Sequence, residues 1–482
     1  MLFPTIQFGL FFPIVFLISW LLRPHPTAWK LAMLAAGGVF YYVGSEQAKI
    51  PDDLHLRYTL LLFCVAAVNW VFGSLIHQTR GTPAQRWLLG LAVVANIVCL
   101  AYFKYYLLLR DSVGWFFPDA DNPLPAWRPI LPIAISFFIF QAISYVVDIA
   151  KGIFRPASLL DFVTYLSFFP HVVAGPIVRA REFIPQLREP ADPRGIDAAK
   201  AFRLILAGMF KKVVVSSYLL EAVVQPVFNA PQDHGSVDVL LGLYGYAVLI
   251  YCDFSGYTDI AIGAAELLGI RFPPNFDSPY RAVTLQDFWR RWHMTLSRWL
   301  RDYLYVPLGG NRKGEVRTYV NLMLTMVIGG LWHGASWTFV VWGAIHGGWL
   351  AGERYFMQRR RAAGLTEGPA TAIGAVVWWL VTFNVVCVAW TFFNARTFTL
   401  AADVLLQLFD FSTPSTLVTP LLVVTIAGMI AIQFIPHDWV IAAQARFSYY
   451  PLMLQALVLA AGLWVVDALG PSGVAPFIYF QF

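Results

Sequence analysis

Charge is what this sequence has least of. Asp, Glu, Lys and Arg together make up 13% of its 482 residues, about half the share usual in a soluble domain. Hydrophobic residues make up 58% and aromatics 16%, and no water-soluble fold of this size hides that much apolar surface. Cysteine is also scarce. Cys64, Cys99, Cys252 and Cys387 stand singly inside apolar runs, which excludes a disulfide framework and paired metal spacing and predicts buried free thiols. There is no internal repeat, no low-complexity tract and no linker, so residues 1–482 read as one membrane domain. The N-terminal stretch MLFPTIQFGLFFPIVFLISWLLRPHP has no basic leader and no small-residue cleavage site. It reads as a first transmembrane helix rather than a signal peptide. The net charge of +6 gives no reason to expect nucleic acid, because basic loops on such a chain mark the cytoplasmic face and anionic membrane lipids.

What is present is a series of apolar segments near 5–22, 30–44, 58–78, 87–109, 129–150, 204–228, 237–269, 318–350, 370–393, 415–435 and 450–470. Measured against the roughly 20 residues that a crossing needs, they predict an all-α integral membrane protein with about eleven transmembrane helices. Two segments are too long for one straight crossing, and their polar or glycine-rich centres, CDFSGYTD and IGGLWHGAS, predict broken helices beside a functional pathway. The stretch LSFFPHVVAGPIVRA at 166–180 is short and proline-containing, and reads as re-entrant or interfacial. Eight Lys and Arg lie in 179–212 and nine in 271–317, whereas 110–128 and 229–238 carry Asp111, Asp119, Asp121, Asp233 and Asp238. The basic segments are expected in the cytoplasm, and the N-terminus outside.

Histidines select the chemistry. Of nine, His25, His55, His77, His234 and His437 read as loop residues, whereas His293, His333 and His346 lie in apolar or aromatic surroundings. An ionisable group at membrane depth is a functional candidate by default; the alternative is a neutral imidazole bridging helices. For His333 the flanking Trp332, Gly334 and Trp337 favour function, because small residues admit a substrate and aromatics give a pocket apolar walls. Zinc takes three or four ligands, paired at i,i+4 on a helix. His333 and His346 are thirteen apart with no cysteine or carboxylate nearby in sequence, so no metal site is expected. Residues 287–313 read as an amphipathic interfacial helix with Phe288, Trp292, Leu296 and Trp299 on one face. Arg291, Arg298 and Arg301 lie elsewhere on it, and they either contact lipid phosphates or form a cytoplasmic mouth that attracts a phosphorylated donor such as a coenzyme A ester.

Six stretches carry a resemblance. They are YFKYY (102–106), LPIAISFFIFQAISYVVDI (131–149), FFPHVVAGPIVRA (168–180), YCDFSGYTDIAIGAAELLGIRFPPNF (251–276), FWRRWHMTLSRWLRDYLYVPLGGNR (288–312) and GLWHGASWTFVVWGAIHG (330–347). Together they resemble the membrane-bound O-acyltransferase superfamily, in particular its bacterial branch typified by the alginate O-acetyltransferase membrane subunit. Agreement is weakest at 40–50, where this chain has FYYVGSEQAK. The resemblance implies tilted, re-entrant and interfacial helices around a central tunnel. It implies a catalytic histidine matched by His333, and a second position, His, Asn or Asp in different branches, matched by His293. Trp332, Gly334, Trp337, Arg290, Arg291, Asn311 and His346 are the expected substrate contacts. It further implies acetyl-CoA or another acyl thioester as cytoplasmic donor, no bound cofactor, and a periplasmic SGNH-hydrolase-like acetyltransferase as partner in the bacterial inner membrane.

The expected reaction is acyl transfer, most simply acetyl, to hydroxyls of a secreted or cell-envelope polysaccharide such as alginate. His333 would act as general base, worth about 10²–10⁴-fold, and His293 would position the donor or polarise its carbonyl. Cellulose, peptidoglycan and D-alanyl transfer to teichoic acid are alternatives inside the same chemistry. A transporter or flippase is the alternative outside it, and the absence of two related halves weighs against that class.

Overall fold

The computed structural model describes residues 3–117, 122–173, 175–189, 191–366, 368–369 and 371–470. Among them every regular element is helical. Asp119 and Asp121, two of the acidic residues invoked for orientation, lie outside the described residues. Two compact units emerge, Met1–Ile205 with Tyr257–Pro273, and Leu206–Gly256 with Pro274–Phe482.

In the first unit, helices Ile6–Leu22, Pro26–Gln47, Asp52–Gln78, Pro83–Lys104 and Ile135–Ala150 follow the apolar segments. Thr5 caps the first through its hydroxyl, and Pro26 and Pro83 open theirs, where proline's missing N–H costs nothing. Close approach rests on small residues: a Cβ at Gly37 would lie 2.0 Å from Ser167 O, and one at Gly73 2.7 Å from the Tyr145 ring. Asn69 and Asn96 exchange amide hydrogen bonds of 3.1 and 2.7 Å, the polar glue that joins helices in lipid. The described residues of the 166–180 stretch form the end of helix Leu159–Ser167, a single turn Phe169–Val172 and irregular chain at 175–179, and all of them are buried. Tyr165 Oη donates to Val178 O at 2.7 Å, so a carbonyl of this irregular backbone is satisfied from inside the protein.

In the second unit, Glu315–His333 and Trp337–Ala362 form an antiparallel hairpin. A Cβ at Gly330 would lie 2.2 Å from Phe339 O, one at Gly343 2.4 Å from Met326 O, and one at Gly347 2.9 Å from Met323 Cα. Gly343 and Gly347, one turn apart, bring the backbones together as small-residue pairs do in membranes. The expected break at IGGLWHGAS is therefore present, as the corner of a hairpin.

The other expected break is absent. Ser236–Leu267 is one continuous 32-residue helix, roughly 48 Å long at 1.5 Å per residue. Its polar centre is satisfied sideways: Asp253 pairs with Lys212 and accepts from Ser216 at 3.2 Å, and Lys211 donates to Ser255 at 2.9 Å. Residues 287–313 also differ from the single amphipathic helix expected. Leu285–Arg291 ends at Trp292, His293 turns left-handed (φ 41°), and Met294–Leu300 follows. The four predicted apolar residues are still buried, because the break rotates both short helices onto the same core. His55 is no loop residue: it is buried in a helix, and its Nε2 bonds Ile50 O at 2.7 Å. All four cysteines are free, but only Cys252 and Cys387 are buried.

Among the described residues five helices are long and apolar enough to cross a membrane: Asp52–Gln78, Pro83–Lys104, Ser236–Leu267, Ala372–Asn394 and Leu452–Leu469. A sixth is available if Pro420–Phe434 and His437–Ser448, bent by 91°, form one span. The chain is thus a multi-pass membrane protein. The segments at 5–22 and 129–150 yield helices of 17 and 16 residues, short of a straight crossing.

Candidate active site

His333 is the last residue of its helix, and Gly334 turns the chain away with φ −152°. Gly334 is required by packing: a Cβ there would lie 2.0 Å from the Phe339 ring. Ser336 then caps the next helix by accepting from Thr338 N at 3.3 Å. The imidazole of His333, 3% exposed, is enclosed by Trp332, Trp342 and Phe393, with ring centroids at 5.0, 5.1 and 5.2 Å.

The other two histidines flank this cage. His293 lies 6.1 Å from Trp332 and 4.6 Å from Phe254, and His346 lies 4.7 Å from Trp342 and 5.2 Å from Trp289, centroid to centroid. Two tryptophans, Trp332 and Trp342, thus stand between three buried imidazoles, His293, His333 and His346.

Hydrogen bonding fixes which nitrogen of each flanking histidine carries the proton. Asn275 Oδ1 receives the backbone N–H of Thr295 at 3.1 Å and its hydroxyl at 2.8 Å. The amide atom that accepts these two donors is the oxygen, which cannot itself donate, so its partner at 3.2 Å, His293 Nδ1, must be the donor. Neutral His293 therefore presents a bare lone pair at Nε2, buried and without a hydrogen-bond partner among the described residues. His346 has the opposite tautomer: Trp289 Nε1–H donates to its Nδ1 at 3.3 Å, leaving the proton on Nε2. The left-handed backbone at His293 costs about 1–2 kcal/mol for most residues. His, Asn and Asp, the types the resemblance allows there, are the ones best tolerated.

A cavity of about 590 Å³ opens beside this cluster, walled by Trp289, Arg301, Thr325, Met326, Glu353 and Arg354 among others. Met326 lies two turns before His333 on the same face of its helix. Two of the cavity's arginines are paired: Arg301 with Asp302 at 2.7 Å and Arg354 with Glu315 at 3.0 Å. Glu353 accepts the N–H groups of Leu285 and Gln286 at 2.8 and 3.2 Å, holding the start of the helix that leads to His293.

The structure thus gathers His333, His293, Trp332, Gly334 and His346 into one region. Arg291 is engaged by Asp287 and Asp277 at 2.9 and 3.1 Å, Arg290 and Asn311 are exposed, and Trp337 is half-exposed at the first position of its helix. Sequence reasoning missed Asn275, Trp342 and Phe393, none of which titrates in the useful range or breaks a hydrophobic pattern. It also left His171 unweighed. That ring is fully buried among Tyr165, Phe168, Phe183 and Phe272 at 5.4–5.9 Å.

A polytopic, all-helical protein that walls buried imidazoles with aromatics beside a polar cavity defines a membrane-embedded enzyme. The chain belongs to the membrane-bound O-acyltransferase family, whose sequence model matches residues 83–395 and so contains all three histidines and Asn275. It is 37% identical over 429 residues to the probable alginate O-acetylase of Pseudomonas putida, covering 84% of this chain and 86% of that one. It is 34% identical over 429 residues to the peptidoglycan O-acetyltransferase of Helicobacter pylori, with 82% and 77% covered. Over 366 residues it is 26% identical to the teichoic acid D-alanyltransferase of Bacillus subtilis, with 72% and 87% covered. The protein is therefore an O-acyltransferase.

Proposed function

We propose that the protein moves an acetyl group from a cytoplasmic thioester, acetyl-CoA, toward hydroxyls of a secreted or cell-envelope polysaccharide such as alginate. The observation that carries this reading is His333, buried in an aromatic cage at the corner of a helical hairpin. The acceptor oxygen attacks the thioester carbonyl as His333 takes its proton; the carbon–sulfur bond then breaks, and the thiolate leaves with a proton. The bare Nε2 of His293 suits it to accept a hydrogen bond from the acceptor hydroxyl. A neutral ring of that tautomer does not polarise a carbonyl from Nε2, which favours positioning, the other of the two roles expected from sequence.

Identity to two O-acetylating relatives exceeds that to a D-alanyl-transferring one, which favours acetyl over D-alanyl. The reading includes the bacterial inner membrane, basic residues 271–317 on the donor side, and about eleven crossings with the shorter helices tilted or re-entrant. A tunnel past His333 would let the acyl arm reach it while the donor's phosphates stay in water. A periplasmic SGNH-hydrolase-like acetyltransferase would complete the transfer to the glycan. The test is purified His333→Ala, checked for a parent-like size-exclusion profile and assayed for free coenzyme A released from acetyl-CoA with acceptor present. We expect a loss of at least about a hundredfold. Activity within tenfold of the parent would remove the general-base role.

A further inference from the structure

We propose that a groove between the helices Trp337–Ala362 and Ala372–Asn394 binds one anionic phospholipid, with an acyl chain in the groove and the phosphate on Arg360. The groove encloses about 480 Å³, and its walls are mostly apolar, including Trp349, Phe356, Val377, Trp378 and Val381. That volume lies within the range of small-molecule sites. Two glycines keep one wall low. Gly348 and Gly352, one turn apart, both line the groove, and a Cβ at Gly352 would meet nothing within 4 Å.

The end of the groove is marked by charge. The last turn of Trp337–Ala362 carries Arg359, Arg360 and Arg361 in succession. The Arg360 guanidinium lies 5.8 Å from the ring centroids of both Phe356 and Trp378, two of the groove's own walls. Its Nε and Nη2 donate to Thr366 O at 2.9 Å and Gly368 O at 3.3 Å. Those bonds hold the fork in place, and its Nη1 has no partner among the described residues, so it can still donate to a phosphate. A fixed cation bracketed by aromatics at the rim of an apolar slot matches a lipid with a charged head and an apolar tail. A soluble phosphate would meet the arginine but leave the groove unfilled, and a neutral lipid would do the reverse. The site also adjoins the catalytic region: Thr284, Glu353 and Met357 line both this groove and the polar cavity.

The experiment is native mass spectrometry of the full chain in detergent, titrated with dioleoyl phosphatidylglycerol or dioleoyl phosphatidylcholine. The parent should retain one phosphatidylglycerol with about fivefold preference over phosphatidylcholine, the ratio that one basic residue gives at an anionic surface. Arg360→Gln should erase the preference, and Gly352→Leu, which fills open space without a clash, should weaken retention of both lipids. Arg359→Gln is the control and should keep the preference, because Arg359 Nε is turned to Tyr355 Oη at 3.0 Å. If Arg360→Gln fails to give a parent-like size-exclusion profile, Gly352→Leu decides alone. Equal retention of the two lipids by the parent, or unchanged retention in Gly352→Leu, overturns the proposal. So does displacement of the lipid by glycerol 3-phosphate at equal concentration, which would assign the arginine to a soluble phosphate.

Discussion

Thr295 gives both its backbone N–H and its hydroxyl to Asn275 Oδ1, at 3.1 and 2.8 Å, and so dictates that the third partner of that oxygen, His293 Nδ1, arrives as a donor. One amide oxygen thus orients an imidazole that it never lets titrate from that side. The arrangement makes Asn275 a positioning residue. Asn275→Asp keeps an accepting oxygen and should retain most turnover. Asn275→Ala frees the ring to flip or change tautomer and should lower kcat roughly tenfold or more, with a smaller change in KM for the donor. Equal turnover for the two variants in steady-state acetyl transfer would show that the tautomer is irrelevant.

Two glycines separate packing from propensity. A Cβ at Gly334 would penetrate the Phe339 ring edge, whereas one at Gly352 meets nothing. Gly334→Ala should therefore destabilise by about 1–3 kcal/mol through overpacking and reduce activity by displacing His333. Gly352→Ala should be neutral or stabilising by up to about 1 kcal/mol, from helix propensity alone. Thermal unfolding of the two variants in one detergent measures the contrast.

The Lys212–Asp253 pair is almost completely buried, at 1% and 3% side-chain exposure. Asp253→Asn strands an ammonium and should cost about 3–5 kcal/mol. Combining it with Lys212→Met should recover much of that loss, because no charge is then left buried. A double variant no more stable than Asp253→Asn would show that the pair fixes geometry as well as balancing charge.

The loop after Phe398–Gln407 has its own pH signature. Hydrogen bonds to Asp410, first from the Ser412 hydroxyl and next from Thr413, hold its carboxyl well below the usual carboxylate range. A depressed folded value means that the contribution is complete above the unfolded carboxylate's pKa and disappears as pH falls through the folded one. Amide exchange at Ser412, whose N–H donates to Asp410 Oδ1 at 2.9 Å, should stay slow through pH 4 and quicken only in stronger acid. In Asp410→Asn it should be faster at pH 7 and insensitive to that titration.

Much of this was legible in the chain. Long apolar runs gave the helices, because lipid leaves a backbone few other choices, and glycines beside His333 marked a real corner. What escaped was lateral. CDFSGYTD looks like a break when read along one strand of text, but Lys212 and Ser216 of another segment engage Asp253, the first of its two aspartates, and the helix runs on. Trp292 and Leu296 keep helical spacing across a position where the helix stops, since periodicity records burial and is silent about φ. Asn275 left no trace in any pattern, for its role exists only where three donors converge on one oxygen.

In the role proposed for His293, its left-handed backbone sets stability and activity against each other at a single position. Glycine relaxes such a conformation fully and asparagine eases it, so His293→Gly and His293→Asn remove the reactive ring while relieving its strain. A selection for thermal robustness alone would drift away from the histidine, and only demand for turnover would return it. A His293→Gly protein that melts later than its parent yet transfers little would make that tension visible in one sample.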